Sequence, residues 1–257
     1  MEWYLYIAVV GAGFVAGLVN TLAGSGSLVS LPLLMFLGLP ATVANGTNRI
    51  AILMQNVVGV SGFHRRHVLD WRGGIRLAVP ALIGAVIGAL IAVDLDEEMM
   101  RRAIGALMVI MLVLLLARPR RWLVGHEREA AARPGWTSYV IFFAIGLYGG
   151  FIQAGVGLFL LAGLVLNAGY DLVRANAVKL LIVLCYTPLA LGVFLYAGQV
   201  EWGIGLVLAM GNMLGAWVGV RLAVERGAEF VRWLLIVVVI VSAIEFLGVR
   251  TWLAGLI

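Results

Sequence analysis

Two glycine-rich connections interrupt apolar stretches of the sequence and have the composition of anion-binding loops. The first reads Asn20-Thr21-Leu22-Ala23-Gly24-Ser25-Gly26-Ser27, and the second reads Gln153-Ala154-Gly155-Val156-Gly157. Glycine permits a sharp turn, and a helix that follows presents free N–H groups and the positive end of its dipole. Hydroxyl and amide side chains add further donors. We therefore predict that an anion is bound by Asn20, Gly24, Ser25, Gly26, Ser27, Gln153, Gly155 and Gly157.

Close helix packing is the alternative explanation for these glycines. Small residues four positions apart let two membrane helices approach each other, and we interpret Gly211-x-x-x-Gly215-x-x-x-Gly219 in that way. For the two loops we favour a binding site, because they recur at equivalent places in the two parts of the chain.

Polar and cationic residues also enter two other apolar segments near their starts. One segment begins Ala44-Asn45-Gly46-Thr47-Asn48-Arg49, and the other begins Ala175-Asn176-Ala177-Val178-Lys179. A cation inside a membrane segment costs a few kcal/mol or more, so it suggests function by default. We add Asn45, Thr47, Asn48, Arg49, Asn176 and Lys179 to the predicted site. Snorkelling of the cations to headgroups and capping by the asparagines remain alternatives. We expect Lys179→Ala to weaken anion binding without loss of folded protein.

The composition places the chain in a membrane. Of its 257 residues, 63% are hydrophobic and 12% are charged, and the mean hydropathy is +1.07. A soluble domain is about 25% charged. The net charge of +5 lies in short loops, which is typical of the positive-inside pattern rather than of a nucleic-acid-binding face. A single cysteine, Cys185, excludes an internal disulfide and a cysteine-based metal cluster.

Ten apolar segments follow from the hydropathy pattern. Most reach the roughly 17–25 residues that a spanning helix needs, but the second member of each set of five is too short. A short segment could be a thin span or half of a re-entrant hairpin. The predicted segments are 4–19, 27–39, 44–63, 74–93 and 99–117, then 137–153, 157–168, 173–197, 203–223 and 230–248. We therefore predict an N-terminal membrane repeat (1–117), a cytoplasmic linker (118–136) and a C-terminal membrane repeat (137–257).

The two sets of segments form an internal duplication. Gly13-x-x-x-Gly17-x-x-Asn20-x-x-x-Gly24 aligns with Gly146-x-x-x-Gly150-x-x-Gln153-x-x-x-Gly157 at a constant offset of 133 residues. At an offset of 131, Ala44-Asn45 matches Ala175-Asn176, and Asp70-Trp71 matches Glu201-Trp202. Chance similarity of apolar helices explains shared leucines but not these polar residues in order. The pattern predicts two repeats with one two-residue gap.

Basic residues predict that the two repeats have opposite orientations. The connection from His64 to Arg76 is strongly positive and should be cytoplasmic, as should the linker. The equivalent connection of the second repeat, Ala197 to Trp202, has no lysine or arginine and should lie outside. An inverted repeat of this kind is common among transporters, whose sites lie between the halves. Both termini should then lie outside.

Several chemistries find little support in the residue pattern. His64-x-x-His67 has metal-like spacing, but no carboxylate or thiol supports it, so we predict no metal, no cofactor and no enzymatic activity. Apolar segments contain almost no carboxylates apart from Glu245. Since the membrane potential supplies about 2.3 kcal/mol per charge per 100 mV, anion export could run without a coupling ion.

The chain resembles the TauE/SafE family of sulfite and organosulfonate exporters. The resemblance is carried by Gly17-x-x-Asn20 through Pro32-x-Leu34, by Gly38-Leu39-Pro40 and by Ala44-Asn45-Gly46-Thr47-Asn48-Arg49. The second half matches more loosely, through Gly155-x-Gly157 and Ala175-Asn176-x-x-Lys179. Where the family usually has three consecutive glycines, this chain has Gly24-Ser25-Gly26. The resemblance implies small sulfur-containing anions as substrates.

Together these observations predict an all-α, multi-pass protein of the bacterial inner membrane with two inverted repeats. We expect it to export a small anion by alternating access, with the bilayer and the anion as its partners and without nucleic acid. A homodimer is left open. An anion channel and a membrane protein without transport activity are the alternatives.

Overall fold

A computed structural model describes the backbone of residues 3–117 and 135–246 and the side chains of residues 4–110 and 135–226. Within these ranges the chain is helical and contains no strand, as predicted for an all-α protein. Its helices are α1 (Trp3–Ala23), α2 (Ser27–Phe36), α3 (Ala41–Arg65), α4 (Trp71–Val93), α5 (Glu97–Ala117), α6 (Trp136–Phe151), α7 (Val156–Ala162), α8 (Leu172–Tyr196) and α9 (Trp202–Phe246). Almost all of the predicted linker, 118–136, lies outside the described residues, and so does the side chain of Glu245.

Four of the described helices are long and apolar enough to cross a membrane, judged by length and composition. They are Tyr4–Ala23, Trp71–Val93, Leu172–Tyr196 and Trp202–Arg226. The long α3 is more polar, since it carries the asparagines and Arg49. The chain is therefore a multi-pass helical membrane protein.

The second segment of each half is short, as the hydropathy pattern predicts. Helix α2 has 10 residues, and α7 has 7 residues followed by a π-helical turn over Gly163–Asn167. Ten residues rise about 15 Å, which is half of the roughly 30 Å hydrocarbon core. This length favours a broken helix over a thin span.

The two segments predicted at 203–223 and 230–248 are wrong as separate elements. They belong to one continuous helix of 45 residues, α9. The intervening residues, Val224-Glu225-Arg226-Gly227-Ala228-Glu229, contain no proline and no residue with a strong turn preference except Gly227. Charges alone do not end a helix, because backbone hydrogen bonding continues through them.

Two helix pairs form the tightest contacts: α1 packs against α9, and α4 packs against α6. Their backbones nearly touch, because a Cβ atom on Gly17 would lie 2.2 Å from the Asn212 carbonyl oxygen. A Cβ on Gly150 would lie 1.9 Å from the Ala85 carbonyl oxygen, and one on Gly215 would lie 2.1 Å from that of Phe14. The packing role predicted for the Gly211–Gly219 series is thus confirmed.

Contacts between connections give the relative directions of α3 and α8. The Tyr170 hydroxyl, just before α8, donates to Asp70 Oδ2 after α3 at 2.7 Å. At the opposite end, the Glu201 N–H, after α8, donates to Thr47 Oγ1 near the start of α3 at 2.8 Å. Helices α3 and α8 therefore run antiparallel. Inverted repeats would have such contacts, but the inverted relation of the complete halves stays a prediction.

Carboxylates fix the starts of three helices. Asp70 accepts from Gly73 N at the start of α4, and Asp171 accepts from Val173 N and Arg174 N at the start of α8. Glu97 from α5 reaches across to α3 and accepts from Ala41 N at 2.7 Å. Partial burial opposes ionisation of Glu97, but these hydrogen bonds hold the pKa of its carboxyl group below the usual value.

Candidate functional site

The centre of the protein contains an unusual set of buried polar side chains. Most of the predicted site residues are among them, and their exposed fraction is near zero: Ser25, Ser27, Asn45, Thr47, Asn48, Arg49, Gln153, Asn176 and Lys179. Gly24, Gly26, Gly155 and Gly157 are buried with them, and Asn20 is half-buried. The site is therefore closed to solvent in this conformation.

Arg49 lies fully buried on α3 and binds the end of α6. Its Nη1 atom donates to the Gly149 carbonyl oxygen and to Gln153 Oε1, both at 3.2 Å, and its Nη2 atom donates to the Gly150 carbonyl oxygen at 2.5 Å. The guanidinium carbon lies 4.5 Å from the centre of the Phe194 ring, a cation–π contact. Arg49 has no buried carboxylate partner within the described part of the chain.

Lys179 makes the corresponding contacts from α8 to the end of α1. Its ammonium group donates to the carbonyl oxygens of Asn20 at 2.8 Å and Thr21 at 3.1 Å, and to Asn176 Oδ1 at 2.7 Å. Asn176 in turn donates to the Leu22 carbonyl oxygen at 3.2 Å. An ammonium group has three donors, so all of those on Lys179 are occupied.

These contacts have a common physical cause. The last four carbonyls of a helix have no intrahelical partner, and they form the negative end of the helix dipole. Helices α1 and α6 end inside the protein, where water cannot satisfy those carbonyls. Each half supplies the missing donors to the other, and Asn45 continues the pattern by donating to the Phe151 carbonyl oxygen at 2.8 Å.

The two glycine-rich loops meet directly. Gly24 has a φ of +76°, and a Cβ atom placed on it would lie 2.3 Å from the carbonyl carbon of Gly157. A Cβ on Gly157 would lie 2.3 Å from the Cα of Gly24. No ligand can lie between these two glycines in this conformation, so a ligand bound here would contact the groups around them.

Several buried donors near the loops have no partner in the described residues. Arg49 uses three of its five N–H donors, and its Nε atom is one of those left over. The Nδ2 atom of Asn48 is also unpartnered, although its Oδ1 accepts from Ser30 of α2 at 2.7 Å. At the start of α2, the N–H groups of Ser25, Gly26 and Ser27 form no backbone hydrogen bond with the described chain. The Nε atom of Arg49, the Nδ2 atom of Asn48 and these N–H groups are thus donors that a ligand could use.

Two predicted residues have other contacts in the structure. Thr47 points toward the connection between α8 and α9, where it accepts from Glu201 N, so it lies at the edge of the site. Asn45 is held by Phe151 and by a long contact of its Nδ2 to the sulfur of Met100, although its Oδ1 remains unpartnered. Whether any predicted residue binds substrate stays a prediction.

Some polar residues of the interior were not predicted from the sequence. The Tyr186 hydroxyl accepts from Gln153 Nε2 at 3.0 Å. Tyr186 was not predicted, because it is a single aromatic residue within an apolar segment. Gln55 and Asn56 lie two turns beyond Arg49 on α3, and Asn212 on α9 donates to Gln55 at 3.3 Å. The two adjacent amide side chains, Gln55 and Asn56, in the middle of an apolar segment could have indicated this polar region from the sequence.

Removal of the Lys179 ammonium group should cost stability as well as anion affinity. Lys179→Ala leaves the Thr21 carbonyl oxygen and Asn176 Oδ1 without their donor, and each unsatisfied buried group costs about 1–3 kcal/mol. The Asn20 carbonyl oxygen still accepts from Gly24 N at 2.9 Å. We therefore expect a lower melting temperature in detergent, which the sequence did not indicate. Exposed Arg102→Ala is the control. An unchanged melting temperature for Lys179→Ala would show that the Thr21 carbonyl oxygen and Asn176 Oδ1 find other donors.

The fold and this site define a class: polytopic helical membrane proteins built around a buried polar centre that contains two cations. The chain belongs to the sulfite exporter TauE/SafE family, whose family model matches residues 9–246. This match spans both halves and includes every residue of the candidate site.

Curated relatives over the same length are named as transporters. The chain is 28% identical to "Probable membrane transporter protein ORF9" of Sinorhizobium sp over 98% of each chain. It is 24% identical to a "Probable membrane transporter protein" of Haemophilus influenzae over 93% of each. It is 25% identical to "Probable membrane transporter protein YfcA" of Escherichia coli K12 over 90% of this chain and 86% of the relative. No solved structure matches significantly. These names indicate membrane transport rather than enzymatic catalysis.

Proposed function

We propose that this protein exports a small sulfur-containing anion, of the sulfite or organosulfonate class, across the bacterial inner membrane. The observation that carries the proposal is the buried pair Arg49 and Lys179. They are the charged side chains among the buried residues of 4–110 and 135–226, and no carboxylate is buried with them. An anion is the ligand that such a centre favours.

Electrostatics supports an anion more strongly than a neutral solute. Carbonyl dipoles satisfy part of the hydrogen bonding of the two cations but do not cancel their net charge. At an effective dielectric constant of 20, an anion 4 Å from one cation gains about 4 kcal/mol. The unpartnered Nε of Arg49 and Nδ2 of Asn48 add directed donors.

The chemistry of a sulfite or sulfonate group matches this arrangement. Its three oxygens each accept several hydrogen bonds in different directions, and the candidate donors come from α2, α3 and the loop before α2. Backbone N–H groups at a helix start suit oxyanions for the same reason. The family name supports this class, and the identity of the substrate is part of the proposal.

The closed state of the site supports alternating access. Because Gly24 and Gly157 touch and the surrounding side chains are buried, a substrate reaches Arg49 when the two loops separate. The reciprocal contacts from α3 to α6 and from α8 to α1 are those that would break and reform. Export of an anion from a negative cytoplasm gains about 2.3 kcal/mol per charge per 100 mV.

Counterflow in proteoliposomes tests the proposal. Vesicles loaded with unlabelled sulfite should accumulate radiolabelled sulfite transiently and saturably, because a carrier exchanges its substrate. Taurine, sulfoacetate and thiosulfate as internal competitors define the substrate class, and empty liposomes are the control. Flux that rises linearly with concentration and lacks trans-stimulation would indicate a channel. Absence of flux for every sulfur oxyanion would refute the proposed substrate class.

A further inference from the structure

A groove lies on the surface of the protein between the end of α3 and the middle of α9. It is a cavity of about 510 Å³, and its lining residues are Val57, Val58, Ser61, Gly62, Arg65, Arg66, Trp217, Val220, Arg221 and Glu225. None of these residues belongs to the candidate transport site. The groove therefore needs an explanation of its own.

One end of the groove is basic. Glu225 forms ion pairs with Arg66 at 3.4 Å and with Arg221 at 2.9 Å, whereas Arg65 has no ion-pair partner among the described side chains. Three guanidinium groups against one carboxylate leave a net charge of +2 in the groove. These charged groups are exposed on the protein surface, so a ligand can contact them.

The other end of the groove is apolar and faces outward. Val57 is 47% exposed and Trp217 is 59% exposed, and in a membrane protein such outward apolar side chains contact acyl chains. Val57 and Arg65 are eight residues apart on α3, which corresponds to about 12 Å along the helix axis. The groove thus extends from its apolar end to its cluster of arginines. This length is similar to the distance between the first acyl carbons of a phospholipid and its headgroup.

We propose that this groove binds an anionic phospholipid. The phosphate lies between Arg65, Arg66 and Arg221, and one acyl chain follows Val57, Val58 and Val220 beside the Trp217 ring. A net charge of +2 favours an anionic headgroup over a zwitterionic one, whose ammonium group meets three guanidinium groups and one carboxylate, Glu225. Basic pockets between helices at the cytoplasmic side commonly take such headgroups, and the positive-inside rule predicts that side here.

Native mass spectrometry of the purified full chain tests this site. The protein is equilibrated in micelles that contain equal amounts of phosphatidylglycerol and phosphatidylcholine, and the bound lipids are counted by mass. We expect preferential retention of phosphatidylglycerol. Arg65→Ala and Arg221→Ala should each reduce that preference about fivefold, since a basic residue near an anionic surface contributes about 1 kcal/mol. Glu225→Gln should increase it, because it frees Arg66 and Arg221.

A matched control separates the groove from general surface charge. Arg174 is an exposed arginine at the start of α8 and does not line the groove, so Arg174→Ala should leave the preference unchanged. Soluble glycerol phosphate distinguishes the two sources of a phosphate group: the proposal requires that it competes poorly because it lacks acyl chains. Effective competition by glycerol phosphate, or equal retention of phosphatidylglycerol by wild type and the arginine variants, would overturn the proposal. None of these readouts depends on transport.

Discussion

Arg49→Met should weaken anion binding at least a hundredfold and abolish transport, while it keeps most of the buried side-chain volume. The substitution removes one of two buried cations and all five N–H donors, including the unpartnered Nε. Loss of the partner of a buried charge costs about 3–5 kcal/mol, which corresponds to at least a hundredfold loss of affinity. Thermal-shift titration with sulfite measures the affinity, and proteoliposome counterflow measures transport.

Two further variants make the Arg49 result interpretable. Arg49→Lys keeps the charge but loses the planar fork that contacts Gly149 and Gly150 together, so we expect an intermediate affinity. Exposed Arg101→Met removes a surface arginine and should bind as wild type. Wild-type sulfite affinity in a folded Arg49→Met protein would show that Arg49 only holds α6 in place.

Gly24→Ala should strongly destabilise the closed conformation. The substitution has two destabilising effects. An L-residue at a φ of +76° costs about 1–2 kcal/mol, and its Cβ would lie 2.3 Å from the backbone of Gly157. Overpacking adds about 1–3 kcal/mol because two backbones cannot yield as a flexible side chain does. We expect a large fall in melting temperature in detergent and loss of counterflow.

Gly198→Ala is the matched control for the cost of placing an alanine at a positive φ. Gly198 has a φ of +70°, and nothing lies within 4 Å of a Cβ placed there, so this variant measures the cost of the left-handed conformation alone. Gly157→Ala should show the overpacking cost but not the backbone cost, because Gly157 lies in α7 without a positive φ, so it should destabilise less than Gly24→Ala. Since both methyl groups separate the same two loops, the double variant should cost less than the sum of the single ones. Equal melting temperatures for Gly24→Ala and Gly198→Ala would argue against direct contact of the loops.

Most helices were predictable from hydropathy and turn residues. The segment predicted at 173–197 is Leu172–Tyr196, and the segment at 74–93 is Trp71–Val93. Proline and aspartate mark the starts of α3 and α8, where Pro40 and Asp171 precede the first helical residue. The continuity of α9 was not predictable from charge, because a charged stretch without a helix breaker suits a loop and an exposed helix equally.

The glycine-rich loops illustrate what the amino-acid sequence determined by itself. A run such as Gly24-Ser25-Gly26 inside an apolar chain breaks a helix, since glycine has low helix propensity and tolerates positive φ. The same local rules indicated two broken segments and a cation near each. They depend on residues close together in the chain, so they need no knowledge of the partner segments.

Tertiary structure decided which groups these loops and cations contact. Arg49 binds carbonyls about 100 residues away, and Lys179 binds carbonyls about 159 residues away in the opposite direction. No local pattern reveals that each cation contacts a helix end in the other half, or that the backbone of Gly24 contacts the backbone of Gly157. The reason is physical: a helix end inside a membrane must find donors wherever packing places them, and packing is a property of the whole chain.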